Sequence, residues 1–68
     1  MKNLIKVERA RNNFTQADLA ERVKVARQTI ISIENGKFIP STLLALKIAT
    51  VLNCSMELLF ELEEKDWD

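Results

Sequence analysis

Apolar residues recur at intervals of three and four from Leu4 to Phe60, the spacing that places them on one face of successive short helices. Leu4 to about Asn12 makes the first helix, with Leu4, Ile5, Val7 and Ala10 available to a core and Asn13 suited to a left-handed stop. Thr15 opens the second: its hydroxyl caps free backbone N–H groups, and Asp18, three residues on, completes a capping box. Leu19, Ala20 and Val23 share one face of this helix, and Lys24 and Val25 form a tight turn after it. In the third helix Ala26, Ile30 and Ile33 point one way, while Arg27, Gln28, Ile31, Ser32 and Asn35 point the other, until Gly36 ends it. Ser41 caps a fourth helix, whose Leu43, Leu44, Leu46, Ile48, Ala49, Val51 and Leu52 form an apolar surface too broad for one buried stripe. Ser55 caps a last short one, Met56 to Phe60. The fold class is therefore all-α, with five helices.

Sixty-eight residues allow one domain, 1–68. Such a chain buries only about 60% of the surface it exposes when unfolded, so a partner subunit would add useful stability. No apolar run reaches transmembrane length and nothing resembles a signal peptide. A single cysteine, Cys54, excludes an internal disulfide and a multi-cysteine metal site, and its place beside an apolar helix suits a small buried residue. These features lead to the expectation of a cytoplasmic protein.

The formal charge is zero, yet the charges are unevenly placed. Residues 1–56 carry a net +5 and residues 57–68 a net −5. A molecule with a basic face and an acidic end would turn the face toward a polyanion and keep the end away. The same count also fits a merely solvated acidic tail over 61–68.

The outward face of the third helix fits DNA as that polyanion, or is an ordinary solvated face of a small helical bundle. Arg27 and Gln28 stand side by side in its first turn, and their side chains suit bidentate hydrogen bonds to the major-groove edges of guanine and adenine. The free N–H groups at the helix start favour a phosphate nearby. Ile31 suits a thymine methyl group or is an ordinary surface isoleucine, and Ser32 can reach a base edge or a phosphate. Lys37, at the end of this helix, is a candidate phosphate contact, and Phe38 is read as a packing residue.

The whole string T-Q-x-x-L-A, then V, then R-Q-T-I-x-x-I-E-N-G-K resembles the helix-turn-helix of the Cro and repressor family, the XRE-type regulators, over residues 15–35 and more loosely over 4–60. The resemblance implies a lambda-repressor-like DNA-binding domain in which Arg27, Gln28, Ile31 and Ser32 face bases and Thr15, Gln16, Asn35 and Lys37 position the protein on phosphates. It also implies an ion pair between Arg9 and Glu34 that ties the first helix to the end of the third. Two residues depart from the pattern. Lys24 stands where most relatives have glycine, and Ala26 stands where many have a capping Ser or Thr.

Family members of this size bind as twofold dimers on inverted repeats, and the surplus apolar surface fits that expectation. Leu58, Leu59, Phe60, Leu62 and Trp67 are the candidate interface. Some short members carry a small terminal β-ribbon, which here would pair Phe60–Glu63 with Lys2–Leu4. The resulting expectation is a homodimeric regulator of double-stranded DNA, acting as a repressor, nucleoid-associated when bound. No cofactor, metal, membrane or small-molecule ligand is expected. There is no histidine, no phosphate-cradling glycine loop and no nucleophile with a base at recognisable spacing, so nothing supports an enzyme. The alternative is a protein-interaction module such as the antitoxin of a toxin pair.

Overall fold

The computed structural model describes all residues, Met1–Asp68. Five helices, α1 (Ile5–Arg11), α2 (Gln16–Val23), α3 (Arg27–Glu34), α4 (Thr42–Val51) and α5 (Met56–Leu59), enclose the core. Strands β1 (Lys2–Asn3) and β2 (Phe60–Glu61) pair antiparallel, with Lys2 opposite Glu61 and Asn3 opposite Phe60, and a 3₁₀ turn (Glu64–Trp67) follows. The expected ribbon is thus present but stops at Glu61. No helix is long and apolar enough to cross a membrane.

Local chemistry sets the helix starts. The Thr15 hydroxyl accepts from the Asp18 N–H at 3.0 Å while the Asp18 carboxylate accepts from the Thr15 N–H at 2.9 Å, closing the capping box at α2. Ser41 and Ser55 cap α4 and α5 the same way, through the N–H groups of Leu44 and Leu58. Ala26 gives α3 no side-chain cap.

The first four helices end by one device. Asn13, Lys24, Gly36 and Asn53 all take the left-handed conformation, with φ between 57° and 74°. The N–H of the next residue then reaches back five positions: Phe14 to Arg9, Val25 to Ala20, Lys37 to Ser32 and Cys54 to Ala49, at 2.9–3.0 Å. This is the Schellman closure, which satisfies the last free carbonyls. Glycine and asparagine enter that conformation readily; Lys24 does so against the clash of its Cβ with the carbonyl that follows.

The core is one cluster. Leu19, Ala20 and Val23 of α2 meet Ile30 and Ile33 of α3, and Ile48, Ala49 and Leu52 close over them with Ile5 and Leu59. Phe14, Val25, Leu44 and Phe60 pack on its margin, as does Cys54, whose thiol is pushed up chiefly by burial and secondarily by nearby Glu8. Several expectations for α1 are overturned. Leu4, Val7 and Ala10 are exposed, and the inward position beside Ile5 is taken by Glu8, only 7% exposed. One turn after Ile5, Glu8 lies near Cys54, and Arg11 draws its carboxylate outward with Nε 3.6 Å from Oε2.

The chain ends are not a loose tail. The Met1 α-amino group lies 2.9 Å from Glu63 and 3.1 Å from Asp66, which raise its pKa; in return it lowers that of Glu63 and, after the Glu63 N–H, that of Asp66. Asn3 adds a second tie. Its Nδ2 donates to the Ile33 carbonyl at 2.9 Å and its Oδ1 accepts from the Ile5 N–H at 3.2 Å, fixing β1 between α1 and α3.

Candidate nucleic-acid interface

The short turn at Lys24 and Val25 holds α2 and α3 in contact, and their N-terminal ends meet at a connected set of polar side chains. Arg9 Nε donates to Glu34 Oε2 at 2.7 Å and Arg9 Nη2 to Glu34 Oε1 at 3.3 Å, with both side chains mostly buried. The third nitrogen, Nη1, donates to the Phe14 carbonyl at 3.0 Å. Gln16 Nε2 donates to the same Glu34 carboxylate at 3.2 Å, and Gln16 Oε1 accepts from Arg27 Nη2 at 3.4 Å. A chain of hydrogen bonds therefore runs from α1 through the end of α3 and the start of α2 to Arg27.

Its consequence is geometric. Arg27 and Gln28 are exposed in the first turn of α3, but Arg27 is held on one side by Gln16 rather than free in water, so less rotamer freedom is lost when it meets a partner. Beside it Arg9, Phe14, Thr15, Gln16, Ala17 and Arg27 line an open cleft of about 520 Å³. The free N–H groups of the α2 start and Arg27, which no carboxylate pairs, make that cleft a candidate anion site, while the Arg9 charge is taken up by Glu34. Asp18 stays ionised in its cap, because the Thr15 N–H and then the Thr15 hydroxyl lower its pKa.

A second hollow, of about 340 Å³, lies between α3 and the loop that follows, lined by Gln28, Thr29, Ser32, Lys37 and Phe38. The Ser32 carbonyl accepts from both the Lys37 and the Phe38 N–H groups, at 2.9 and 3.3 Å, so this loop is folded back against the helix.

The candidate residues thus fall into two groups, Arg9, Thr15, Gln16 and Arg27 at the cleft and Gln28, Ser32 and Lys37 at the hollow. Ile31 and Ser32 are half-buried, on the flank of α3 rather than at its crest. Asn35 stands apart from both groups, bordering a third hollow with Lys2, Asn3 and Glu63. The acidic 3₁₀ turn therefore adjoins the end of α3 instead of lying remote from it. Thr29 and Phe38 also line the second hollow, although neither is among the expected site residues. Thr29 falls between the two faces expected of α3, and Phe38, expected as a packing residue, is 47% exposed.

The candidate dimer residues also divide. Leu58, Leu62 and Trp67 are exposed, the last at 75%. Leu59 is wholly buried in the monomer core and has no surface to offer a partner, and Phe60 is half-buried against that core.

A helix-turn-helix family model matches residues 5–59. A Bacillus subtilis protein, the HTH-type transcriptional regulator YgzD, is 48% identical over 97% of this chain and all of its own length. An HTH-type transcriptional regulator of Methanocaldococcus jannaschii is 48% identical with the same coverage. The ImmF control region 10 kDa protein of Bacillus phage phi105 is 32% identical over 82% of this chain and 62% of that protein. With the capped α2, the left-handed turn, the exposed start of α3 and these relatives in hand, the chain belongs to the Cro/repressor-type helix-turn-helix family and is a DNA-binding transcriptional regulator.

Proposed function

We propose that the chain acts as a homodimeric repressor that occupies a palindromic operator, with α3 of each subunit in a major groove. The observation that carries the reading is the pair Arg27–Gln28, exposed at the first turn of α3 with Arg27 braced by Gln16. Arg27 reads guanine and Gln28 adenine, Ile31 and Ser32 assist, and Thr15, Gln16, Asn35 and Lys37 hold phosphates. Two subunits related by a twofold axis set their recognition helices about 34 Å apart, one turn of the duplex. Leu58, Leu62 and Trp67 are the exposed apolar residues available to that axis. The control-region name of the phage relative is in keeping with repression.

The test is a comparison of two variants. Gln28→Ala is expected to cost about 1–3 kcal/mol on the operator and little on random duplex, while Lys37→Ala weakens both alike and lowers the salt dependence by about one counterion. Equal losses from the two would contradict the assignment of roles.

A further inference from the structure

Given the reading of α3 as the helix that enters the major groove, on which this rests, we infer that Phe38 is a specificity residue: with Thr29 it forms an apolar seat for the 5-methyl group of one thymine in each half-site. Phe14 and Phe60, the other two phenylalanines, are partly buried against the core cluster, whereas Phe38 is 47% exposed. Its ring is nevertheless not on a loose loop. The Phe38 N–H and the Lys37 N–H share the Ser32 carbonyl, and Pro40, two residues on, is buried. The backbone of this residue is thus fixed while nearly half of its surface stays open to a partner.

What it faces follows from its neighbours. The hollow is walled by Gln28, Thr29 and Ser32 from α3 and by Lys37 and Phe38 from the loop, so it opens on the side of the helix where Gln28 stands. Polar atoms of Gln28 and Ser32 and the Lys37 ammonium suit base edges and phosphate, but the Phe38 ring and the Thr29 methyl suit neither. The one apolar group that base pairs present in a major groove is the thymine methyl. Burial of one such group is worth roughly fourfold in affinity.

The experiment uses the operator recovered from a random duplex pool and replaces its thymines one at a time by uracil, which deletes only the methyl. Wild-type protein is expected to lose about fourfold at one thymine per half-site, and Phe38→Ala, a substitution outside the buried core, is expected to show no penalty at that position while still binding. Thr29→Ser, which keeps the hydroxyl and removes the methyl, is expected to reduce the same penalty. If Phe38→Ala binds less tightly but the uracil penalties are unchanged, the ring packs on sugar and the inference is overturned. It is overturned equally if Phe38→Ala binds as wild type does. A pool that yields no enriched duplex instead removes the sequence-reading conclusion itself, and this inference with it.

Discussion

Arg9 and Glu34 lie twenty-five residues apart in the chain and form a two-point ion pair, 2.7 Å at Nε and 3.3 Å at Nη2, with 14% and 7% of their side chains exposed. Because the Glu34 carboxylate also accepts from Gln16, which in turn holds Arg27, one pair sets the relative placement of three helices and of the Arg27 side chain.

Removing one partner leaves a mostly buried charge without its complement. Arg9→Ala is expected to destabilise the fold by about 2–4 kcal/mol, read from urea unfolding, and Arg9→Lys to recover little of it, because an ammonium cannot reproduce the fork of a guanidinium. A loss below about 0.5 kcal/mol would place the pair with ordinary surface bridges.

Lys24 carries a different cost. At φ 62° it occupies a conformation in which a glycine meets no clash. Lys24→Gly is expected to stabilise the domain by about 1 kcal/mol, a rise in melting temperature of about 4–8 °C for a chain of this size. An unchanged or lowered melting temperature would mean that the lysine side chain offsets its own strain.

Neighbouring leucines in α5 separate core from surface. Leu59 is 0% exposed and Leu58 is 58% exposed. Leu59→Ala is expected to cost about 2–5 kcal/mol of folding stability. Leu58→Ala is expected to leave monomer stability within about 0.5 kcal/mol and to weaken self-association, seen by sedimentation. Unfolding by Leu58→Ala would contradict its placement.

The pH dependence has a sign on each side. Asp18, Glu63 and Asp66 have lowered pKa values in the fold, so the stability they lend is present above their ordinary 3.8, 4.5 and 3.8 and is lost as pH falls through the folded values. The Met1 amino group has a raised pKa, so its contribution is complete below its ordinary 8.0 and is lost as pH rises through the folded value. Asp18→Asn is expected to flatten the acid side of a stability-versus-pH curve and leave the alkaline side alone. An acid side unchanged by that substitution would rule out the capping carboxylate as its source.

What the chain reveals on reading depends on how local each feature is. The capping box at Thr15 and Asp18 and the left-handed stops at Asn13 and Gly36 involve residues three to five apart, and sequence order alone brings them together. The Arg9–Glu34 pair and the terminal ribbon were expected from family resemblance, since no spacing rule links residues so far apart. Four features escape such a reading. Whether Leu58 or Leu59 turns inward depends on how α5 rotates against α4, and helical periodicity has little force in a helix of four residues. Glu8 breaks the rule that charges lie outside, and Phe38 the rule that aromatics lie inside. The fourth is Asn3, whose two hydrogen bonds join β1 to α1 and α3, a tertiary tie that no pattern announces.

The central claim is that two α3 helices, each led by Arg27 and Gln28, read an inverted repeat. Selection from a random duplex pool, followed by binding of the enriched sequences at two salt concentrations, tests it most directly. The account predicts recovery of an inverted repeat with half-site centres about 34 Å apart, bound more weakly as salt rises. Recovery of nothing above non-specific affinity would contradict it.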